Sequence, residues 1–382
     1  MIDSCVIIPE PVTVYPNTAD LPSQIAELPA GSGIYVLRAA EGRLAHMSWS
    51  AHLRKRLTRL LVSSYTASDG RRGALREQVR EVSCWPTGSR LETNVLLFYL
   101  AQGLYPDDYS KRLRLRAPWF AGMGDGDDYP RLTVMNRITR GSHNVYGPFP
   151  SREAAQRYEE ELQGLFQLRR CPGKLAPAPD HPGCIYGEMN LCMRPCQLVV
   201  SQEEYMSEVE RVAEILSTNG RAAVSALTIA RERASETMDF EQAAQLHNRI
   251  ERTKAVSALR DNVVADARRF RGVALTRSAQ RRTLSLWLMF DGFWQGRINL
   301  EFPEEQVRAT SLDREIREKL EPALQNPLAD GRRTEHLAVF ARWYFSSWRD
   351  GHWFGFRGLD DLNYKKLVRE ISNMLKTEPN SC

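Results

Sequence analysis

Apolar residues along this chain recur with two periods. Between residues 20 and 65 the pattern reads strand, strand, helix. Gly33-Ile34-Tyr35-Val36-Leu37 is a short β-rich run, Ala40-Glu41-Gly42 is a turn signal, and Leu53, Leu57, Leu60 and Leu61 share one face of a basic helix over 51–61. Residues 92–102 predict a second, more buried helix. Over residues 111–116 basic and apolar side chains alternate, which predicts a strand with Arg112, Arg114 and Arg116 on one face. Residues 123–128 read as a Gly/Asp loop, of which 125–127 lie outside the residues that the structure describes. A rigid turn at 144–150 leads into a helix from Ser151 whose apolar residues run to Leu165.

Residues 171–196 are rich in Pro and Gly, lack periodicity, and cannot build a core of their own. A helix follows at once. Ser201 and Glu204 have the spacing of a capping box, Tyr205, Val209, Val212 and Leu216 form its stripe, and Asn219-Gly220 ends it. Residues 221–255 predict a helical hairpin broken near Met238-Asp239. Two β-like runs follow at 272–276 and 283–290, then a turn at Asp291-Gly292, a third run at 297–302 and a helical tail. There are no internal repeats.

At 382 residues the chain is too long for one core, so two to four domains are expected. No stretch approaches the roughly 18 apolar residues of a membrane span, and the first residues have no basic leader pattern, so a cytoplasmic protein is expected. The net charge of +5 is modest, but basic residues cluster, and an anionic polymer responds to clustering more than to the sum. Of seven cysteines, Cys171, Cys184, Cys192 and Cys196 crowd together as C-x12-C-x7-C-x3-C. Four soft thiolates on a loop-rich segment suit zinc or an iron–sulfur cluster. The competing reading, small buried core cysteines, lacks the periodic apolar neighbours a core would supply. Only one pair is as tight as zinc sites favour, which leans toward a cluster and leaves zinc open.

These residues carry a resemblance. Tyr146-Gly147-Pro148-Phe149-Pro150, Leu165-Phe166-Gln167-Leu168-Arg169-Arg170-Cys171, Cys184-Ile185-Tyr186 and Cys192-Met193-Arg194-Pro195-Cys196 resemble, in order and spacing, the middle of the UvrC excision-repair nucleases. The resemblance implies that the four cysteines hold a [4Fe–4S] cluster. Ala234-Ser235-Glu236, Phe240-Glu241-Gln242-Ala243-Ala244 and Arg249-Ile250 resemble the UVR motif, the hairpin by which UvrC meets UvrB. Small Ala243 and Ala244 allow close helix approach, and Phe240 and Ile250 would offer an apolar edge. His247-Asn248 stands where the family has an Arg-Asp pair. Without the motif, such a stripe would read as core packing.

The N-terminal part is similar to the GIY-YIG nuclease domain. Gly33-Ile34-Tyr35 matches its first element, residues 53–57 match the helix after the second, and Arg56 falls at the catalytic arginine. The departures are large. His46-Met47-Ser48-Trp49 replaces the family's Tyr-Val-Gly-Lys, Leu60 replaces another active-site tyrosine, and Tyr99 falls where a metal-binding glutamate belongs. Phosphodiester hydrolysis in such a site needs a hard cation held by a carboxylate, so catalytic magnesium is not expected here. Glu92 lies two turns earlier, about 10 Å along a helix. Tyr35 and Arg56 remain as catalytic remnants. His46 could serve as an acid or base near neutral pH.

The resemblance covers roughly residues 20–350, the N-terminal half of a UvrC, and implies no RNase H-like nuclease within this sequence. The expected architecture is multidomain, α/β and α: a degenerate GIY-YIG-like α/β domain over 1–140, a Cys-rich cluster region over 141–200, a helical UVR-like hairpin over 201–260 and a small α+β region over 261–382. The expected partners are DNA and a UvrB-like protein, in repair without efficient incision. An endonuclease with a rebuilt site, or a structural or redox module around the cluster, are the alternatives. Arg54, Lys55, Arg59, Arg112, Arg114 and Arg116 are the expected phosphate contacts. Trp287, Trp294, Trp343, Trp348 and Trp353 read as core, with stacking on bases the rarer use.

Overall fold

The computed structural model describes residues 8–62 except 17, 19 and 43, and residues 78–124, 128–139, 143–303, 310–325 and 327–377. Contacts divide the chain into two units, residues 1–116 with 271–382, and residues 117–270.

The first unit has two lobes. In the N-terminal lobe, β1 (Val12–Val14), β2 (Ser32–Ala39), β3 (Leu44–Ser50) and β4 (Val79–Thr87) pair antiparallel in the order β1-β4-β2-β3. Alternation along β2 turns Tyr35 and Leu37 into a core with Leu21 and Ile25 of α1 (Leu21–Glu27). The leucine stripe completes that core: Leu53 and Leu57 lie on α2 (Leu53–Leu57), and Leu60 and Leu61 on a wider π turn that continues it. Each fully buried leucine is worth about 1.5–3 kcal/mol. The motif glycine has a packing reason. A Cβ on Gly33 would sit 2.7 Å from Leu53 Cδ2 and 2.9 Å from the Trp85 carbonyl oxygen, so only glycine lets β2 pass beneath α2.

Helix α3 (Arg90–Leu104) is capped by Ser89, whose hydroxyl accepts from Glu92 N at 3.0 Å, and it buries Leu91, Val95, Leu96, Phe98 and Ala101. A short α4 (Tyr109–Arg112) follows. The C-terminal lobe has β9 (Gly272–Arg277), β10 (Thr283–Phe290), β11 (Phe293–Glu301) and β12 (His352–Gly355) in the order β11-β10-β9-β12. One face of this sheet packs on α10 (Leu312–Gln325) and α12 (Tyr364–Lys376) through Ile316, Leu320, Leu367 and Ile371. Helix α11 (Arg333–Tyr344) packs against α3. The lobes meet tightly where α3 begins: a Cβ on Gly88 would lie 2.0 Å from the Ser278 carbonyl carbon.

The second unit holds β5 (Trp119–Met123), β6 (Leu132–Met135), β7 (His143–Phe149) and β8 (Ala265–Asp266), in the order β6-β5-β7-β8. Helix α5 (Arg152–Gln163) packs on this sheet, with Ser151 as its cap. A coil carrying the four cysteines and the one-turn α6 (Ile185–Glu188) leads to α7 (Gln202–Thr218). The capping box of Ser201 and Glu204 forms as expected, and left-handed Asn219 ends the helix. The hairpin is α8 (Arg221–Glu236) and α9 (Phe240–Ala258), with Asp239 capping α9.

Four expectations change. Residues 144–150 are not a turn: His143–Phe149 form β7, paired with β5 and β8. Residues 111–116 are not a strand: α4 ends at Arg112, and Arg114 is left-handed at φ +50, so alternation here reflects a helix end and turn, and the three arginines do not share a strand face. The break between the first two regions lies at 116 rather than 140, because β5 and β6 pair within the sheet that carries the segment before the cysteines. The helical tail contains a strand, β12, which joins the C-terminal sheet beside β9.

Candidate nucleic-acid interface

The Tyr35 ring is fully buried, and its hydroxyl accepts a hydrogen bond from Arg56 Nε at 3.1 Å. Strand pairing sets Ser48 opposite Tyr35 and His46 opposite Leu37, and the His46 ring centroid is 6.2 Å from that of Tyr35. Burial, and then the Arg56 guanidinium, hold the His46 imidazole pKa below its ordinary value. The β2–β3 register and α2 therefore bring Tyr35 and Arg56 together with His46.

The expected carboxylate position does not join them through an acid. The Tyr99 hydroxyl donates to the Trp294 carbonyl oxygen at 3.1 Å, and its ring packs on Phe98 and His336. Burial pushes its phenol pKa well up. Glu92, the one carboxylate of α3, is fully buried. It accepts from Gly88 N at 2.7 Å and from Arg297 Nη1 of β11. Burial raises its pKa, while Arg297 and the Gly88 amide pull the other way.

The basic residues divide by use. Arg54 donates from Nε and Nη2 to the Leu28 carbonyl oxygen, at 2.9 and 2.5 Å, so it closes the end of α1. Lys55 and Arg59 are exposed on the outer side of α2 and its continuation. Arg112, Arg114 and Arg116 are exposed, and Arg112 is paired with Asp108 at 2.8 Å. Arg112 and Arg114 line a cleft of about 670 Å3 within the first unit, together with His46, Trp49, Arg90, Arg342 and Trp348. Sequence reading missed Arg90 and Arg342, which lie far from the motif residues in the chain, and the only signal for Trp348 was its aromatic character. Trp287, Trp294 and Trp343 are fully buried, whereas Trp348 is 41% exposed.

In the second unit the coil before the cysteines hangs on polar anchors. Buried Arg169 donates to the Tyr129 carbonyl oxygen at 2.5 Å, to that of Cys171 at 3.1 Å and to that of Gly173 at 3.0 Å, and its Nη1 lies 3.6 Å from Cys171 Sγ. The Tyr205 hydroxyl accepts from Arg169 N at 3.0 Å and donates to the Pro130 carbonyl oxygen at 2.9 Å. Cys192 and Cys196 are buried, Cys171 is half-buried and Cys184 exposed, and all four are free thiols. Burial raises the pKa of Cys192 and Cys196, and the charges of neighbouring cysteines raise both further. Among the described residues no three His, Cys, Asp or Glu side chains are gathered as a metal-binding group.

On the hairpin Phe240 is 70% and Met238 77% exposed, with Ile229 exposed on α8. Ala243 is half-buried and Ala244 exposed. Ile250 is buried at 2%, so it packs inside the unit and is not part of an outer edge. Among the described residues no helix is long and apolar enough to cross a membrane.

Residues 118–215 match the UvrC/Cho excinuclease middle domain, and residues 222–256 match the UvrB/uvrC motif. The chain is similar to the UvrABC system protein C of Geotalea daltonii, with 27% identity over 288 residues, 74% of this chain and 45% of the relative. It is similar to that of Desulforudis audaxviator at 26% over 330 residues, 84% of this chain and 52% of the relative, and to that of Alkalilimnicola ehrlichii at 26% over 247 residues, 64% and 40%. It thus spans about half or less of the length of these curated relatives. No solved structure matches.

Proposed function

From a chain that shares the middle domain and the UVR motif of the UvrC proteins, we propose a nucleotide-excision-repair protein that binds DNA and a UvrB-like partner without efficient incision. One observation carries this reading: the carboxylate of α3 is tied to Arg297 and the Gly88 amide, while the position expected for a metal-binding acid is Tyr99, bonded to a backbone carbonyl. Magnesium binds through one or two carboxylates, and a site that lacks them holds it weakly. Phosphate attraction does not depend on that carboxylate. Arg56, Lys55 and Arg59 still lie along one short helix and its continuation beside Tyr35.

Phe240 and Met238, exposed at the hairpin turn, support partner binding, since large apolar side chains at such exposure match an anchor for another protein. The four cysteines supply the donor set of a [4Fe–4S] cluster, with zinc as the competitor. They are soft ligands on a coil positioned by Arg169 and Tyr205 rather than by its own core. Such a group would supply structural cross-linking of that coil.

The test incubates the full chain with UvrA, UvrB and a lesion-bearing duplex in magnesium or manganese. Salt-sensitive binding without cutting is the expected result. Robust cleavage that disappears in Tyr35→Phe or Arg56→Ala would overturn the proposal. For the cluster, iron and sulfide near four each per chain in anaerobically purified protein are expected by the cluster's stoichiometry. Stoichiometric zinc without sulfide would refute it.

A further inference from the structure

The cleft of about 670 Å3 in the first unit is walled by β3, the first turns of α3, the turn after α4, the second half of α11 and the segment after it that carries Trp348. Its size is that of a small-ligand site. Its lining is one-sided in charge: Arg90, Arg112, Arg114 and Arg342 line it and no Asp or Glu does among the described residues, and Arg112 is paired with Asp108 from outside the lining. Like charges that converge on one concavity are relieved by an anion, and guanidinium forks match phosphate oxygens.

The cleft also offers flat aromatic faces. The Arg90 guanidinium carbon lies 4.3 Å from the ring centroid of Trp49 and 5.6 Å from that of Trp348, so one cation rests against two indoles. Both indoles are partly exposed, at 38% and 41%, while three of the remaining tryptophans are fully buried. Arg342 donates to the Leu113 carbonyl oxygen at 2.9 Å, which fixes the turn that carries Arg114. An acidic peptide would use the cations and leave the indoles idle. A free phosphate would do the same. A double helix keeps its bases paired and stacked, so it has no free base face to offer the two indoles.

We infer that this cleft is a subsite for an unpaired nucleotide of single-stranded DNA, with Arg114 and Arg342 taking phosphates and a base stacking on Trp49 or Trp348 in place of Arg90. The inference rests on the DNA-binding reading above and narrows it. It gives the altered β3 a use: Trp49 stands where a lysine was expected, and a stacking face there replaces a point charge. The C-terminal lobe completes the site through Arg342 and Trp348.

The experiment titrates the full chain with oligothymidylate and, separately, with a blunt duplex, reading anisotropy of the labelled DNA and intrinsic tryptophan emission. Single-strand binding with quenching is expected. Trp348→Ala and Trp49→Ala should each weaken it about fivefold or more, while Trp348→Phe, which keeps a stacking face, should bind within about threefold and lose part of the quenching. Arg114→Gln should lower the dependence of log affinity on log salt by about 0.7, the value for one single-strand phosphate contact. Circular dichroism of each variant separates lost binding from lost folding, and Trp348→Phe gives a second reading if an alanine variant unfolds. Duplex binding that equals single-strand binding and ignores both tryptophans would overturn the inference and leave the DNA-binding reading standing. Heparin binding with equal affinity and no tryptophan dependence would also overturn it, by showing a general polyanion surface. Failure to bind either DNA at low salt would remove the underlying reading as well.

Discussion

Replacing Arg297 by Met tests the joint between the two lobes of the first unit. Glu92 is fully buried on α3 and its charge is balanced by Arg297, whose side chain is only 18% exposed, together with the Gly88 amide. Removing one partner of a buried pair leaves an uncompensated charge, which costs about 3–5 kcal/mol. A domain of typical stability has about 5–15 kcal/mol, so the change should be large. For a unit of this size each kcal/mol moves the melting temperature about 2–4 °C, so a drop of about 6–20 °C is expected. The pH dependence fixes the cause. Burial raises the Glu92 pKa above its unfolded value, so the native state binds the proton more readily and stability falls as pH rises through that window. Arg297 pulls the pKa down, so Arg297→Met widens the window upward. The variant's penalty should therefore be smaller at pH 5 than at pH 7. Urea unfolding followed by tryptophan emission, at both pH values, reads this directly, since Trp287 and Trp294 lie in the same lobe as Arg297. The double change Glu92→Gln with Arg297→Met should recover much of the loss. A penalty below about 1 kcal/mol at pH 7, or one that does not change with pH, would refute the assignment of a buried charge pair.

Gly88→Ala should destabilise the first unit by more than about 2 kcal/mol in a thermal melt, because its Cβ would meet backbone atoms of Ser278 and Ala279 rather than a side chain that can yield. Phe240→Ala should leave the melting temperature nearly unchanged, since the ring is 70% exposed, and should weaken association with a UvrB-like protein about tenfold in a surface-binding assay. Equal affinity for both forms would assign the exposed ring no role in docking. The His46 imidazole should titrate below its ordinary 6.5 by NMR, and Arg56→Met should move it upward by removing the second cause of the shift. An unchanged titration would show that burial alone sets it.

Local signals made much of the architecture legible. The capping box at Ser201, the left-handed stop at Asn219 and the break at Asp239 depend on residues a few positions apart, and each forms as read. The alternating segment at 111–116 misled because period two over six residues also fits a helix end followed by a turn, and nothing local distinguishes Arg114 in a left-handed conformation. Ile250 misled in another way: a helical stripe shows which residues share a face, not which face is covered. The pairings that define the candidate site are long-range. Glu92 with Arg297 and Tyr99 with Trp294 join α3 to β11, and Trp49 with Arg90 joins β3 to α3, contacts that only the tertiary fold creates. Tyr35 with Arg56 was the exception, because a family pattern already placed both.

The first unit is discontinuous, with residues 117–270 intervening between its two lobes. This imposes an order on synthesis. When residue 116 leaves the ribosome, α3 has no α11 to cover it, and Glu92 has no Arg297. The intervening segment is continuous and can close its own sheet first, as domains emerging in sequence tend to do. The N-terminal lobe must meanwhile wait with the apolar face of α3 uncovered until α11, residues Arg333–Tyr344, has been made. That interval is when chaperone capture and proteolysis should concentrate, and a pulse of protease during synthesis should cut near α3 in chains arrested before residue 270 and spare it in finished ones.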